Sequence, residues 1–126
     1  MNTTNEQTIA VVGLGPLGRG IVACCLARGF RVIGVDREQK NEKLLLDFLP
    51  KAAAHCVEAG VADADQSADW ESRLELSEDL APISKACLVI EAIAENLPAK
   101  QQLLQEIEEN IPENVIVGSN TSAFSI

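Results

Sequence analysis

The sequence predicts an α/β domain with a doubly wound, mostly parallel sheet and helices on both faces. Three observations carry this. Short apolar runs alternate with longer amphipathic stretches along all 126 residues, which is the pattern of successive strand–helix units. A glycine-rich stretch, "VVGLGPLGRG" from Val11 to Gly20, joins the first apolar run to the first helical one. Aromatic residues are scarce, with three Phe, one Trp and no Tyr. An aliphatic core suits helices packed on a sheet better than a β-sandwich.

The elements follow in chain order. Ile9 to Val12 is a short apolar run, as expected of a buried parallel strand. Leu17 to Arg28 reads as a helix, with Gly29 as its stop. Arg31 to Asp36 reads as the second strand, completing a βαβ unit. Lys40 to Ala59 is helical, with Leu44, Leu45, Phe48, Leu49 and Ala52 as its apolar residues. Pro50 is expected to kink or break that helix, and Gly60 to end it.

"VADADQSADWE" is acidic and unpatterned and reads as a loop. Arg73 to Leu76 forms a short strand. Ser77 to Ile83 forms a short helix, with Ser77 as N-cap and Glu78 and Asp79 in its first turn. "CLVIEA", Cys87 to Ala92, is a buried strand. Leu97 to Asn110 is an amphipathic helix. Its apolar face carries Leu97, Leu104, Ile107 and Ile111, and its polar face Lys100, Gln101, Gln105 and Glu108. Pro112 stops it, and Val115 to Val117 is the last strand. The whole chain, residues 1–126, reads as one domain.

Composition excludes several functions. The formal net charge is −9, whereas a nucleic-acid phosphate backbone requires a basic face. A small anionic ligand stays compatible, because backbone donors at a helix N-terminus suffice to hold it. The N-terminal "MNTTNEQT" is polar and no apolar stretch is long enough to span a bilayer. The four cysteines, Cys24, Cys25, Cys56 and Cys87, lack metal-ligand spacing. Mostly buried free thiols in a reducing cytoplasm are expected, with no metal site.

Gly13, Gly15 and Gly18 form G-x-G-x-x-G between a strand and a helix, the context a dinucleotide-binding turn requires. Gly13 permits the tight turn, Gly15 lets the backbone approach a pyrophosphate, and Gly18 lets the helix pack closely on the strand. Gly20 is expected to extend that packing. Pro16 stands near the first helical position, where an N–H is not needed. Asp36 closes the second strand, where a carboxylate accepts hydrogen bonds from both hydroxyls of an adenosine ribose and repels a 2′-phosphate. NAD is therefore expected over NADP. Arg37 pulls the other way, since an arginine can pair with such a phosphate. The competing structural role for Asp36 is to cap the next helix. These features together define a Rossmann-type domain.

Two later segments sit at strand carboxyl ends, where doubly wound sheets bind ligands. Ala92 offers room, with Glu95 and Asn96 after it. Ser119, Asn120, Thr121 and Ser122 are four successive hydrogen-bonding side chains. Helix capping and a polar turn are their alternative roles. His55, within a helical stretch, reads as an ordinary surface residue.

"VVGLGPLGRGI", "VIEAIAENLPAKQQLL" and "SNTSAFSI" together resemble the NAD-binding domain of the L-3-hydroxyacyl-CoA dehydrogenases. The resemblance covers nearly the whole chain and is weakest between Arg37 and Ser84. It implies oxidation of a (3S)-3-hydroxyacyl-CoA to a 3-ketoacyl-CoA, with hydride transfer to NAD, in fatty acid β-oxidation. It implies that Gly13, Gly15, Pro16, Leu17 and Gly18 form the pyrophosphate turn and that Asp36, with Arg37 beside it, faces the adenosine ribose. Ala92, Glu95, Lys100 and Asn120 would lie along the nicotinamide half. Ser122 would hydrogen-bond the substrate's C3 oxygen.

The family's general-base histidine follows the "SNTSxxSI" segment, and this sequence ends at Ile126. The chain is therefore expected to be the cofactor half of a longer, cytoplasmic, homodimeric enzyme, and inactive alone. Where the family has a serine and a lysine for CoA, this chain has alanines near Ala52 and Ala59, with Lys43 and Lys51 as the nearby cations. Two alternatives follow: an NAD(H)-binding module without catalysis, or a dehydrogenase of a related non-CoA hydroxy acid of the carnitine or hydroxyisobutyrate type.

Overall fold

A computed structural model of the protein describes residues 7–93 and 97–119. Five strands, β1 (Thr8–Val12), β2 (Arg31–Val35), β3 (Leu74–Ser77), β4 (Leu88–Glu91) and β5 (Ile116–Ser119), form one sheet in the order β3-β2-β1-β4-β5. Every pairing is parallel. The chain runs outward from β1 through β2 to β3, then crosses to β4 on the other side of β1. That reversal opens a crevice at the carboxyl ends of β1 and β4.

Strand alternation divides the core in two. Ile9 and Val11 of β1 join a cluster with Val22, Leu26, Leu45 and Leu49, the inner residues of α1 (Pro16–Ala27) and α2 (Gln39–Glu58). Ala10 and Val12 face the opposite way, into a cluster with Ile33, Val35, Ile83, Val89 and Ile107 of α4 (Leu97–Glu109). Both faces of β1 are thus covered, which is why Ile9 to Val12 is apolar without a break.

Several expectations are corrected. α2 runs unbroken through Pro50. A helical proline leaves the carbonyl four residues back without its donor. Here that residue is Leu46, on the exposed side, where water can take the donor's place, while Leu45 and Leu49 hold the inner face against α1. The acidic loop contains α3 (Ala64–Ser67), capped by Asp63, whose carboxylate accepts from the amides of Asp65 and Gln66, and a 3-10 turn at Trp70–Arg73. Arg73 belongs to that turn, so β3 starts one residue later than expected. Its guanidinium donates to the carbonyls of Leu26, Phe30, Gln66 and Ala68. It fastens the segment to the α1–β2 turn.

Ser77 ends β3 instead of capping a helix; its hydroxyl accepts from Asp79 N and donates to Asp79 O. The following helix is a 3-10 turn, Ala81–Lys85, started by Asp79, which accepts from Ala81 N. β5 is shifted one to two residues later than expected. The thiols are not mostly buried: Cys24 and Cys87 are exposed, because Cys24 lies off the inner face of α1 and Cys87 precedes β4. On α4, Ile107 is buried and Gln101, Gln105 and Glu108 are exposed, as expected. Lys100 is not on the polar face; it is fully buried. His55 is exposed on α2. No helix among the described residues is long and apolar enough to cross a membrane.

Candidate functional site

The glycine turn leaves β1 at the crevice. Gly13 has φ +103°, a conformation in which L side chains are strained. Its amide donates to Val35 O at 2.8 Å, and Ala92 N donates to Val12 O at 2.8 Å. A Cβ at Gly13 would lie 2.8 Å from Ile93 Cγ2, and one at Gly18 would run into the carbonyl oxygen of Gly13. These two glycines let α1 start against the turn. A Cβ at Gly15 would meet nothing within 4 Å, so that side of the turn is open to a ligand. Gly20 departs from expectation: a Cβ there also meets nothing within 4 Å, so no close packing requires a glycine at that position.

α1 begins with Pro16 and has Gly15 as N-cap, with no capping side chain and no acidic residue in its first turn. The first internal bond runs from Arg19 N to Gly15 O at 2.9 Å. The amides of Leu17 and Gly18 precede it and lack intrahelical acceptors. α3, by contrast, is capped by its own aspartate. A helix start left without side-chain acceptors, behind a turn without side chains, suits an anionic group. Pro16 and Leu17 flank it on the exposed side, Leu17 being 46% exposed.

Asp36 lies at the end of β2, facing the turn. Oδ2 accepts from Leu14 N at 2.8 Å and Asn41 Nδ2 at 3.0 Å; Oδ1 accepts from Glu38 N at 2.8 Å. It therefore does start the turn into α2, and it also clamps the glycine turn. A carboxylate offers about four lone-pair directions, so these three contacts leave Asp36 room for about one further donor. Arg37 beside it is paired: Nη2 lies 3.3 Å from Glu106 Oε2 on α4. The cleft between them measures about 610 Å³, with Gly13, Asp36, Glu78, Leu80, Ile93 and Leu103 among its walls. That is within the range of small-molecule sites.

At the other end of the crevice stands Glu91, the last residue of β4, which sequence reasoning passed over. It is fully buried. Oε2 accepts from Ile93 N at 2.6 Å, and Oε1 accepts from Ser119 Oγ at 2.5 Å and faces Lys100 Nζ at 3.5 Å. One carboxylate thus ties the turn after β4, α4 and the end of β5 together. The signal was present in two places. An acid interrupts the apolar run "CLVIEA", and Lys100 lies seven residues before Ile107, on the same helical face. Ala92 follows Glu91 and packs near Gly18, so its small side chain makes room for α1. Glu95, Asn120 and Ser122 lie outside the described residues, as do Asn96, Thr121 and the side chain of Leu97.

The family profile described as "3-hydroxyacyl-CoA dehydrogenase, NAD binding domain" matches residues 8–126.

The chain belongs to this family.

The domain is 36% identical over 126 residues to the L-carnitine dehydrogenase of Nocardiopsis dassonvillei, covering 98% of this chain and 37% of that protein. It is 32% identical to the fatty acid oxidation complex subunit alpha of Pseudomonas syringae pv. syringae, covering 93% and 16%. Among solved structures, the (S)-3-hydroxybutyryl-CoA dehydrogenase of Ralstonia eutropha superimposes with a TM-score of 0.83 at 28% identity, covering 97% of this chain and 43% of that one. The chain spans less than half the length of each of these relatives. The NAD of the family fits the residues present: two glycines that admit no side chain, an uncapped helix start and a carboxylate at the β2 end.

Proposed function

We propose that the chain is the cofactor-binding part of an NAD-dependent dehydrogenase that oxidises a (3S)-3-hydroxyacyl-CoA to the 3-ketoacyl-CoA. The observation that carries this is the uncapped start of α1 behind Gly13 and Gly15, with Asp36 clamped to the same turn through Leu14 N. When bound, NAD supplies the hydride acceptor. Gly13, Gly15, Pro16, Leu17 and Gly18 hold the pyrophosphate on backbone amides. Asp36, flanked by Arg37, accepts from the adenosine ribose. Ala92, Glu95 and Asn120 border the nicotinamide half, while Lys100, fully buried on Glu91, supports that region from within the core and does not face the ligand. Ser122 donates to the substrate's C3 oxygen, which loses its proton as hydride leaves the carbon. That proton goes to a general base, which the family resemblance puts beyond Ile126, in a helical domain that also forms a cytoplasmic homodimer.

A second reading rests on the 36% identity to an L-carnitine dehydrogenase and on Ala52 and Ala59, where the resemblance would put CoA contacts. In it the same domain serves a dehydrogenase of a hydroxy acid without CoA. The nucleotide site is common to both.

Calorimetry of this chain with NAD and NADP, wild type and Asp36→Ala, tests the nucleotide site. NAD binding that weakens at least about tenfold in the variant, or about 1.4 kcal/mol, is the expected result. Failure of the wild type to bind NAD overturns the reading. The substrate class is tested on the enzyme that carries this domain, with 3-hydroxybutyryl-CoA against carnitine.

A further inference from the structure

Arg37 directly follows the acid that is to receive the ribose, and a free arginine there would welcome a 2′-phosphate. The guanidinium is drawn instead to Glu106, across the cleft and 69 positions later, with Nη2 3.3 Å from Oε2. Both groups keep solvent contact, with side-chain exposures of 76% for Arg37 and 34% for Glu106. Exposed pairs of this kind contribute about 0–1 kcal/mol to stability, so the pair matters chiefly for where it puts the charge. Glu106 also lines the same cleft as Asp36, and so do Glu78 and Asp79 from the turn after β3. Four carboxylates thus line the cleft that Arg37 also lines, and of these Glu106 is the one paired with the guanidinium.

We propose that Glu106 is a determinant of cofactor choice, acting as a positioning residue: it ties up Arg37, the cation among the described residues that line this cleft, and thereby withholds it from a 2′-phosphate. The inference rests on the dinucleotide reading of the site and extends it. Asp36 repels the phosphate directly, while Glu106 removes its potential partner. Discrimination against NADP is therefore shared between β2 and α4. Loss of Asp36 alone weakens NAD without admitting NADP, because Arg37 stays engaged.

The test is a fluorescence titration of the whole chain with NADH and with NADPH, for wild type, Glu106→Gln, Arg37→Ala and the double variant. Glu106→Gln is expected to raise the NADPH-to-NADH affinity ratio by about three- to fivefold, the size an exposed charge pair supports. Adding Arg37→Ala is expected to cancel the gain. A ratio unchanged in Glu106→Gln overturns the inference. So does a gain that survives removal of Arg37, since it would then come from the general negative field of the cleft. If the wild type binds neither nucleotide, the cofactor reading falls and takes this inference with it. NADH binding with an unaltered ratio overturns the inference alone.

Discussion

Replacing Lys100 with Met removes the ammonium 3.5 Å from Glu91 Oε1 while both side chains are fully buried. At that separation and an effective dielectric constant of about 20, the attraction is about 5 kcal/mol. The variant keeps the carboxylate in the interior with Ile93 N and Ser119 Oγ still donating to it, so part of the penalty is offset. Breaking one side of a buried pair costs about 3–5 kcal/mol. Against a total of about 5–15 kcal/mol for a domain, that is a large fraction. Lys100→Met is therefore expected to lower stability by about 3 kcal/mol or more. Adding Glu91→Gln, which removes the stranded charge and keeps an acceptor, is expected to recover over half of the loss. The assay is urea unfolding followed by the fluorescence of Trp70, the only tryptophan, which packs against the α1–α2 core. A loss below about 1 kcal/mol, the range of an exposed pair, would refute the reasoning, as would a double variant less stable than Lys100→Met alone.

Two glycines of one helix should respond in opposite ways. Gly18→Ala drives a Cβ into the Gly13 carbonyl oxygen, and overpacking of this kind costs about 1–3 kcal/mol; urea unfolding and NAD titration should both show the damage. Gly20→Ala meets nothing within 4 Å and should gain about 0.5–1 kcal/mol from helix propensity; a loss there would show that Gly20 packs against something after all. Burial, helped by the neighbouring Cys24, pushes the Cys25 thiol up to about 11 from 9.0. The folded state thus favours the protonated thiol. Its contribution to stability is complete below the unfolded value and is lost as the pH rises from about 9 to about 11. Cys25→Ala should flatten stability over that window relative to wild type, and a parallel pair of curves would count against the assignment. Mass-resolved alkylation at pH 8 should label the exposed Cys87 well before Cys25.

The opening of the fold was readable because its determinants are local. Gly13 needs a positive φ, α1 starts where Pro16 and the glycines allow, and Asp36 is placed by the length of one strand–helix–strand unit. Each depends on residues within one βαβ unit, so spacing and residue type suffice. The same holds for the α/β class, which follows from strands apolar on both faces alternating with helices.

What the tertiary structure decided involves pairs far apart in the chain. Pro50 stays inside α2 because Leu45 and Leu49 are gripped by α1, which periodicity around Pro50 does not report. Lys100 looked like a surface lysine because its neighbours Gln101 and Gln105 are polar. Only the position of β4 beside β1 brings the Glu91 carboxylate beneath it and makes burial of the ammonium tolerable. Arg37 and Glu106 meet because the chain crosses over β1 and brings α4 back alongside the end of β2. Local sequence sets dihedrals and periodicity. Which charges neutralise one another is set by the sheet order, because electrostatic energy depends on distance in space and on burial, and neither can be read from separation along the chain.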